Sequence, residues 1–163
     1  MRLAGRAVVI SEANVDTDVL YPGSFLNIED PELMSPHLFE GLDPSLRDEM
    51  GPDTILVVGE NFGTGSSREH VPLGMKASGV SCLVGASFAR IFRRNCLNLG
   101  LPLVDCPAAV ARASTGSEVA VDLDGGVVEV DGESFEIAPM PDFMRRMVDA
   151  GGLVPWLRSG AAP

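Results

Sequence analysis

Two textures of apolar and polar residues divide the chain, and they predict different kinds of strand. In the first, short unbroken apolar runs alternate with segments of helical length. Arg6–Ser11 (RAVVIS), Thr54–Gly59 (TILVVG) and Val80–Gly85 (VSCLVG) read as strands buried on both faces, and Leu101–Asp105 as a further short one. Ser66–Ser78 and Ser87–Leu99 predict helices that stop at Gly79 and Gly100, with Glu60–Gly65 as a glycine-bearing turn. Strands alternating with helices in this way form βαβ units, hence a largely parallel sheet. The second texture begins near Ser117. Glu118–Leu123, Gly126–Val130 and Ser134–Ala138 alternate apolar with polar positions, and Asp124-Gly125 and Asp131-Gly132 between them are hairpin turn signals. A last helix is expected over Pro141–Ala150, before Gly151-Gly152 and an apolar Leu-Val-Pro-Trp-Leu stretch. The rest is polar. Glu12–Pro22 reads as a loop, and residues 29–53 as a proline-punctuated insert with short helices around Glu32–Phe39 and Pro44–Met50. The expected fold is one α/β domain over residues 1–163, with a mostly parallel central sheet flanked by helices and a C-terminal β-meander.

Composition narrows the function classes. Apolar residues make up 45% of the 163, enough for a buried core and too many for a disordered chain. The net charge of −11 repels phosphate, which argues against nucleic acid and anionic membranes as partners. No apolar run is long enough to span a membrane, and Met1–Arg6 leads straight into a strand-like segment without a signal-peptide pattern, so a cytoplasmic location is expected. Cys82, Cys96 and Cys106 are widely spaced in apolar surroundings and read as buried reduced thiols, and no metal site can be made from them locally.

The chemistry concentrates in Asn61–His70 (NFGTGSSREH), between a buried strand and a predicted helix. Gly63 and Gly65 allow close backbone approach, a helix N-terminus offers unpaired N–H groups, and Arg68 can grip a carboxylate through two parallel bonds. The spacing matches neither a P-loop nor a dinucleotide fingerprint, so a small carboxylate suits it better than a nucleotide. Gly65-Ser66-Ser67-Arg68-Glu69 also lacks the central serine and last glycine of a hydrolase nucleophile elbow. A structural reading stands beside the functional one: Ser66 and Glu69 have capping-box spacing, worth about 1 kcal/mol of stability. His70 alone reads as structural, and His37 lies in the helical insert. Asp16 and Asp18 could be cation ligands or could close an Asx-turn. Arg90, Arg93 and Arg94 form either a solvated helix face or a contact with a partner or a substrate cleft.

NFGTGSSREH, followed by Gly79–Val84, Ser87–Phe92 (SFARIF), Asn95 and Gly100-Leu101-Pro102, resembles the swivelling domain of the aconitase superfamily. More narrowly, the chain is similar to the stand-alone small subunits of the 3-isopropylmalate dehydratase family, whose terminal motifs match Asn14–Asp18 with Pro22, and Gly151–Pro155. The resemblance spans nearly the whole chain and implies an aconitase-type swivelling β/β/α fold. It also implies a hydro-lyase that isomerises hydroxy dicarboxylates in a complex with a large subunit. That subunit would carry a four-iron four-sulfur cluster, with none bound by this chain. By resemblance Ser66 is the base, Arg68 binds the substrate carboxylate, Ser67 adds a hydrogen bond, and Asp18 lines the same cleft. Gly65 belongs to the same motif, and Asn27 stands in the loop 23–28 that reads the substrate's side group. Two positions depart from the pattern: Thr64 stands where many small subunits have Cys, and Asn27 is short and neutral where relatives often carry a longer polar or basic residue. 3-Isopropylmalate is the leading substrate, homoaconitate- or dimethylmalate-type substrates are alternatives, and a non-catalytic carboxylate-binding module is the rival from another class.

Overall fold

Strand β1 (Arg2–Ile10) is the seam of the molecule, because it serves two sheets' worth of partners at once. Its second half pairs in parallel with β2 (Thr54–Val58), Ala7 opposite Ile55 and Ile10 opposite Val58. Its first half pairs antiparallel with β5 (Glu118–Asp122), Arg2 opposite Asp122 and Arg6 opposite Glu118. With β3 (Val80–Gly85), β4 (Leu103–Asp105), β6 (Val127–Val130) and β7 (Glu133–Glu136) the order is β4-β3-β2-β1-β5-β6-β7. The expected parallel sheet and meander are therefore present, joined through β1 into one mixed seven-stranded sheet. This computed structural model describes residues 1–160; residues 161–163 of the expected domain lie outside the described residues.

The helices follow from the direction of the crossovers. Each parallel step moves the same way across the sheet, and right-handed crossovers then put their helices on one face. That face carries α3 (His70–Ala77) and α4 (Arg90–Asn98), together with α1 (Thr17–Leu20), formed within the expected loop Glu12–Pro22, and α2 (Pro31–Met34) of the insert. The chain end adds α6 (Asp142–Asp149) and α7 (Leu153–Arg158), with Trp156 buried in the same core, so the tail packs on its own domain. The opposite face holds a second core of Ile55, Val57, Val84, Val121 and Val128 under α5 (Pro107–Arg112), a helix that the sequence pattern did not predict. Alternation along β2 explains the split: Leu56 and Val58 face the first core, Ile55 and Val57 the second.

One expected boundary is corrected. The helix predicted from Ser66 begins only at His70, and Glu69 occupies the cap position with no side-chain bond, so the capping box does not form. The cause is a competing pairing. Thr17 N donates to the Thr64 carbonyl at 2.9 Å and Thr17 Oγ1 donates to the Ser66 carbonyl at 2.8 Å, which commits this backbone to its neighbour rather than to a helical turn. Likewise the strand predicted over Arg6–Ser11 extends back to Arg2, because pairing with β5 recruits residues 2–5, a half-exposed stretch whose Arg-Leu-Ala-Gly sequence carries little strand signal.

All three cysteines are buried and free. Burial pushes the Cys82 thiol up to about 12 from an ordinary 9.0, and raises Cys96 as well. Both folded-state values lie above the unfolded one, so the neutral thiols contribute stability below pH 9 that is lost as pH rises beyond it. A disulfide-exchange chromogen at pH 8 is expected to find no reactive thiol until denaturant is added. Rapid reaction of even one in the native protein would contradict the buried placement.

Candidate active site

The three loops that leave the C-terminal ends of β1, β2 and β3 are stitched together edge to edge. Asn14 N donates to the Glu60 carbonyl at 2.8 Å, Gly63 N to Val15 at 2.9 Å, and Phe62 N to Ser87 at 3.1 Å. The bridges Asp16↔Thr64 and Phe62↔Phe88 extend the parallel register beyond the strands. Such crevices at the carboxyl ends of parallel strands are where open α/β sheets bind ligands. Gly65 makes the stitch possible. Its φ is +89°, and a Cβ there would overlap the Asp16 carboxylate.

Asp18, Ser66 and Arg68 meet on one atom. Ser66 Oγ donates to Asp18 Oδ1 at 2.9 Å, and Arg68 Nη2 lies 2.8 Å from the same oxygen. Arg68 Nη1 donates to the Tyr21 carbonyl at 2.8 Å, which leaves three of the five guanidinium N–H groups for a ligand. The Arg68 side chain is 15% exposed and that of Asp18 58%, so water screens the ion pair and its value is positional more than stabilising. Asp18 is aimed by its predecessor: Asp16 Oδ1 accepts from Asp18 N at 2.7 Å, the Asx-turn alternative, which also caps α1. Ser67 joins from the other side, where Asn95 Nδ2 donates to Ser67 Oγ at 3.2 Å.

Ser66, Ser67, Arg68 and Asp18 are thus brought together, with Gly65 at their turn. Asn27 stands apart as an exposed residue on the 23–28 loop, and among the described residues its side chain makes no hydrogen bond. That loop still borders the site, since a Cβ on Gly23 would lie 3.6 Å from Arg68 Nη2. Two contributors carry no role in the sequence reading. Tyr21 supplies the carbonyl that orients Arg68, and a backbone acceptor leaves no trace in side-chain pattern. Asn95 is 5% exposed on the apolar face of α4 beside Phe92 and Cys96, and a polar residue on an apolar stripe was its available signal. Of the α4 arginines, Arg93 pairs with Asp105 at 2.5 Å and lies 5.2 Å above the Phe88 ring, while Arg90 and Arg94 are exposed. Among the described residues no group of three or more His, Cys, Asp or Glu side chains converges on a possible metal site, and no helix is long and apolar enough to cross a membrane.

The arrangement is a hydroxyl and a guanidinium held at fixed separation by one carboxylate, on a surface open to solvent. Comparison with known proteins gives it a context. Residues 1–107 match the aconitase C-terminal domain family. The 2,3-dimethylmalate dehydratase small subunit of Eubacterium barkeri is 47% identical over 148 residues, covering 90% of this chain and 91% of that protein. The 3-isopropylmalate dehydratase small subunit of Caldanaerobacter subterraneus subsp. tengcongensis is 44% identical over 158 residues, covering 96% and 98%. Among solved structures, 3-isopropylmalate dehydratase of Methanocaldococcus jannaschii superposes with a TM-score of 0.88 at 32% identity, covering 98% of this chain and 95% of that one. The chain therefore belongs to the aconitase C-terminal domain family and, within it, to the small subunits of the 3-isopropylmalate dehydratase type.

Proposed function

We propose that this chain is the small subunit of a heteromeric hydro-lyase that interconverts hydroxy dicarboxylates by removing and re-adding water. 3-Isopropylmalate is the leading substrate, and a cytoplasmic location is part of the same reading. The observation that carries it is the shared contact of Ser66 and Arg68 on Asp18, with Arg68 mostly buried and both serines exposed. A serine hydroxyl in open water is far too weak a base to remove a proton beside a carboxylate. It becomes one only as its own hydrogen leaves, which positive charge nearby in a water-poor site favours by stabilising the anionic oxygen. Arg68 supplies the charge, and the exposed face of the serines is where a large subunit would exclude the water. The site is then half of an active site.

Within that half, Arg68 holds a substrate carboxylate with the N–H groups that Asp18 and Tyr21 leave free. Asp18 orients the Ser66 hydroxyl hydrogen, so the serine lone pairs face the cleft. As Ser66 Oγ takes the proton from the carbon beside the held carboxylate, its own hydroxyl hydrogen passes to Asp18, and both shifts reverse when the proton is delivered to the neighbouring carbon as water adds back. Ser67, steadied by Asn95, donates a second hydrogen bond to the same carboxylate. An iron–sulfur cluster on the large subunit would supply the Lewis acid that the departing hydroxyl requires. The high identity to a 2,3-dimethylmalate dehydratase small subunit favours that substrate as the second reading.

Two substitutions test these roles in the complex reconstituted anaerobically with the large subunit captured from extract. Ser66→Ala is expected to lower kcat by roughly a thousandfold. Assembly and melting temperature should stay near wild type, since Ser66 caps no helix. Turnover within a few fold of wild type would remove Ser66 from the chemistry. Arg68→Lys is expected to raise KM by about tenfold or more, because a single ammonium cannot reproduce the planar fork. An unchanged KM would mean that the substrate carboxylate is held elsewhere.

A further inference from the structure

The chain has two histidines, and both are packed against the same short loop. Four rings stand in a row beneath it. His70 stacks on Tyr21 with centroids 5.3 Å apart, Tyr21 meets Phe25 edge-on at 6.3 Å, and Phe25 stacks on His37 at 3.8 Å. Two of these rings also grip consecutive carbonyls of the loop. Tyr21 Oη donates to the Phe25 carbonyl at 2.9 Å, and His70 Nε2 lies 3.1 Å from the Leu26 carbonyl. A carbonyl oxygen only accepts, so His70 Nε2 carries the hydrogen and donates it. That engagement leaves no lone pair on Nε2 to act as a base.

The position of this bond in the chain gives it consequence. His70 is two residues beyond Arg68, and Tyr21, on which it stacks, supplies the carbonyl that Arg68 Nη1 contacts. The carboxylate clamp and the loop tether are therefore parts of one short segment. Past the tether, the loop presents Leu26, 39% exposed, and the exposed Asn27. Loop residues of this kind are mobile unless something ties down their backbone, and the tie at Leu26 comes from His70. We propose that His70 is a positioning residue: its bond to the Leu26 carbonyl sets the distance between the Arg68 clamp and the Leu26–Asn27 tip, and so decides which substrate side group fits. The effect on substrate choice rests on the hydro-lyase reading above, whereas the restraint of the loop does not.

The test uses the full chain with its large subunit and three variants: His70→Leu, which loses donor and stack; His70→Phe, which keeps a ring on Tyr21 but loses the donor; and His70→Gln, which keeps an N–H donor. Steady-state rates are measured with 3-isopropylmalate and with 2,3-dimethylmalate. His70→Leu and His70→Phe are expected to raise KM for the better substrate about fivefold, the worth of one neutral hydrogen bond, and to shift the kcat/KM ratio between the two substrates. Their kcat should stay within about twofold, and His70→Gln should recover most of the KM effect. An equal fall in kcat on both substrates at unchanged KM would put His70 in the chemistry and overturn the proposal, as would unchanged KM and preference. Amide exchange of residues 24–28 is followed in the isolated chain, with an increase of about fivefold expected in the variants that lack the donor. No increase overturns the restraint itself. Because that measurement needs no turnover, a wild-type complex that dehydrates neither substrate would sink the functional reading alone.

Discussion

The edge-to-edge stitching of the loops that follow β1 and β2 is the constraint on which the site depends. Loops 12–18 and 60–66 exchange backbone hydrogen bonds as though the strands had continued, from Asn14 on Glu60 to Thr17 on Thr64, and the Thr17 hydroxyl adds a bond to the Ser66 carbonyl. The bonds at Val15, Thr17 and Gly63 satisfy polar groups of buried residues that would otherwise sit unpaired, so the pairing is favoured over alternatives. It delays the start of α3 by four residues relative to the sequence pattern. That delay frees the Ser66 hydroxyl from any capping role and turns it toward Asp18. Gly65 is the hinge on which this rests, since its positive φ and missing Cβ let the loop pass close over Asp16.

Burial grades across the site in a way that suits a shared active centre. Arg68 is rooted between Tyr21 and Asp18, Ser67 is tied to the buried Asn95, and Asp16 is packed under Gly65. The side chains of Ser66, Ser67 and Asp18 remain open to solvent. Rigid support below and bare polar groups above is the pattern expected of a surface that a second protein completes, since preorganised groups keep their geometry when covered. The loop 23–28 extends the same logic outward, as rings and consecutive carbonyl contacts hold its base while its tip stays exposed.

Where the sequence pattern misjudged an element, a long-range partner was responsible. The first residues of β1, Arg-Leu-Ala-Gly, carry little strand signal, yet β5 recruits them from more than a hundred residues away. Residues 66–69 have helical composition and a capping signature, yet a pairing with Thr17 outweighs a cap worth about 1 kcal/mol. Helix α5 passed unnoticed because Pro107–Arg112 is short and nearly featureless in polarity, and its helicity comes from packing Ala109 against the second core.

Local pattern by itself determined the strands β2 and β3, whose unbroken apolar runs have only one way to hide, and the hairpins at Asp124-Gly125 and Asp131-Gly132, whose turn chemistry is carried by adjacent residues. The motif around Ser66 and Arg68 also stood out along the chain, because its glycines and arginine have chemistry that does not depend on context. Only the tertiary structure decided what that chemistry faces. Asp18 and Ser66 are 48 residues apart, Ser67 and Asn95 28, and His70 and Leu26 44. Each of those contacts depends on the register between loops, and register is a property of the assembled sheet, set by all its strands together.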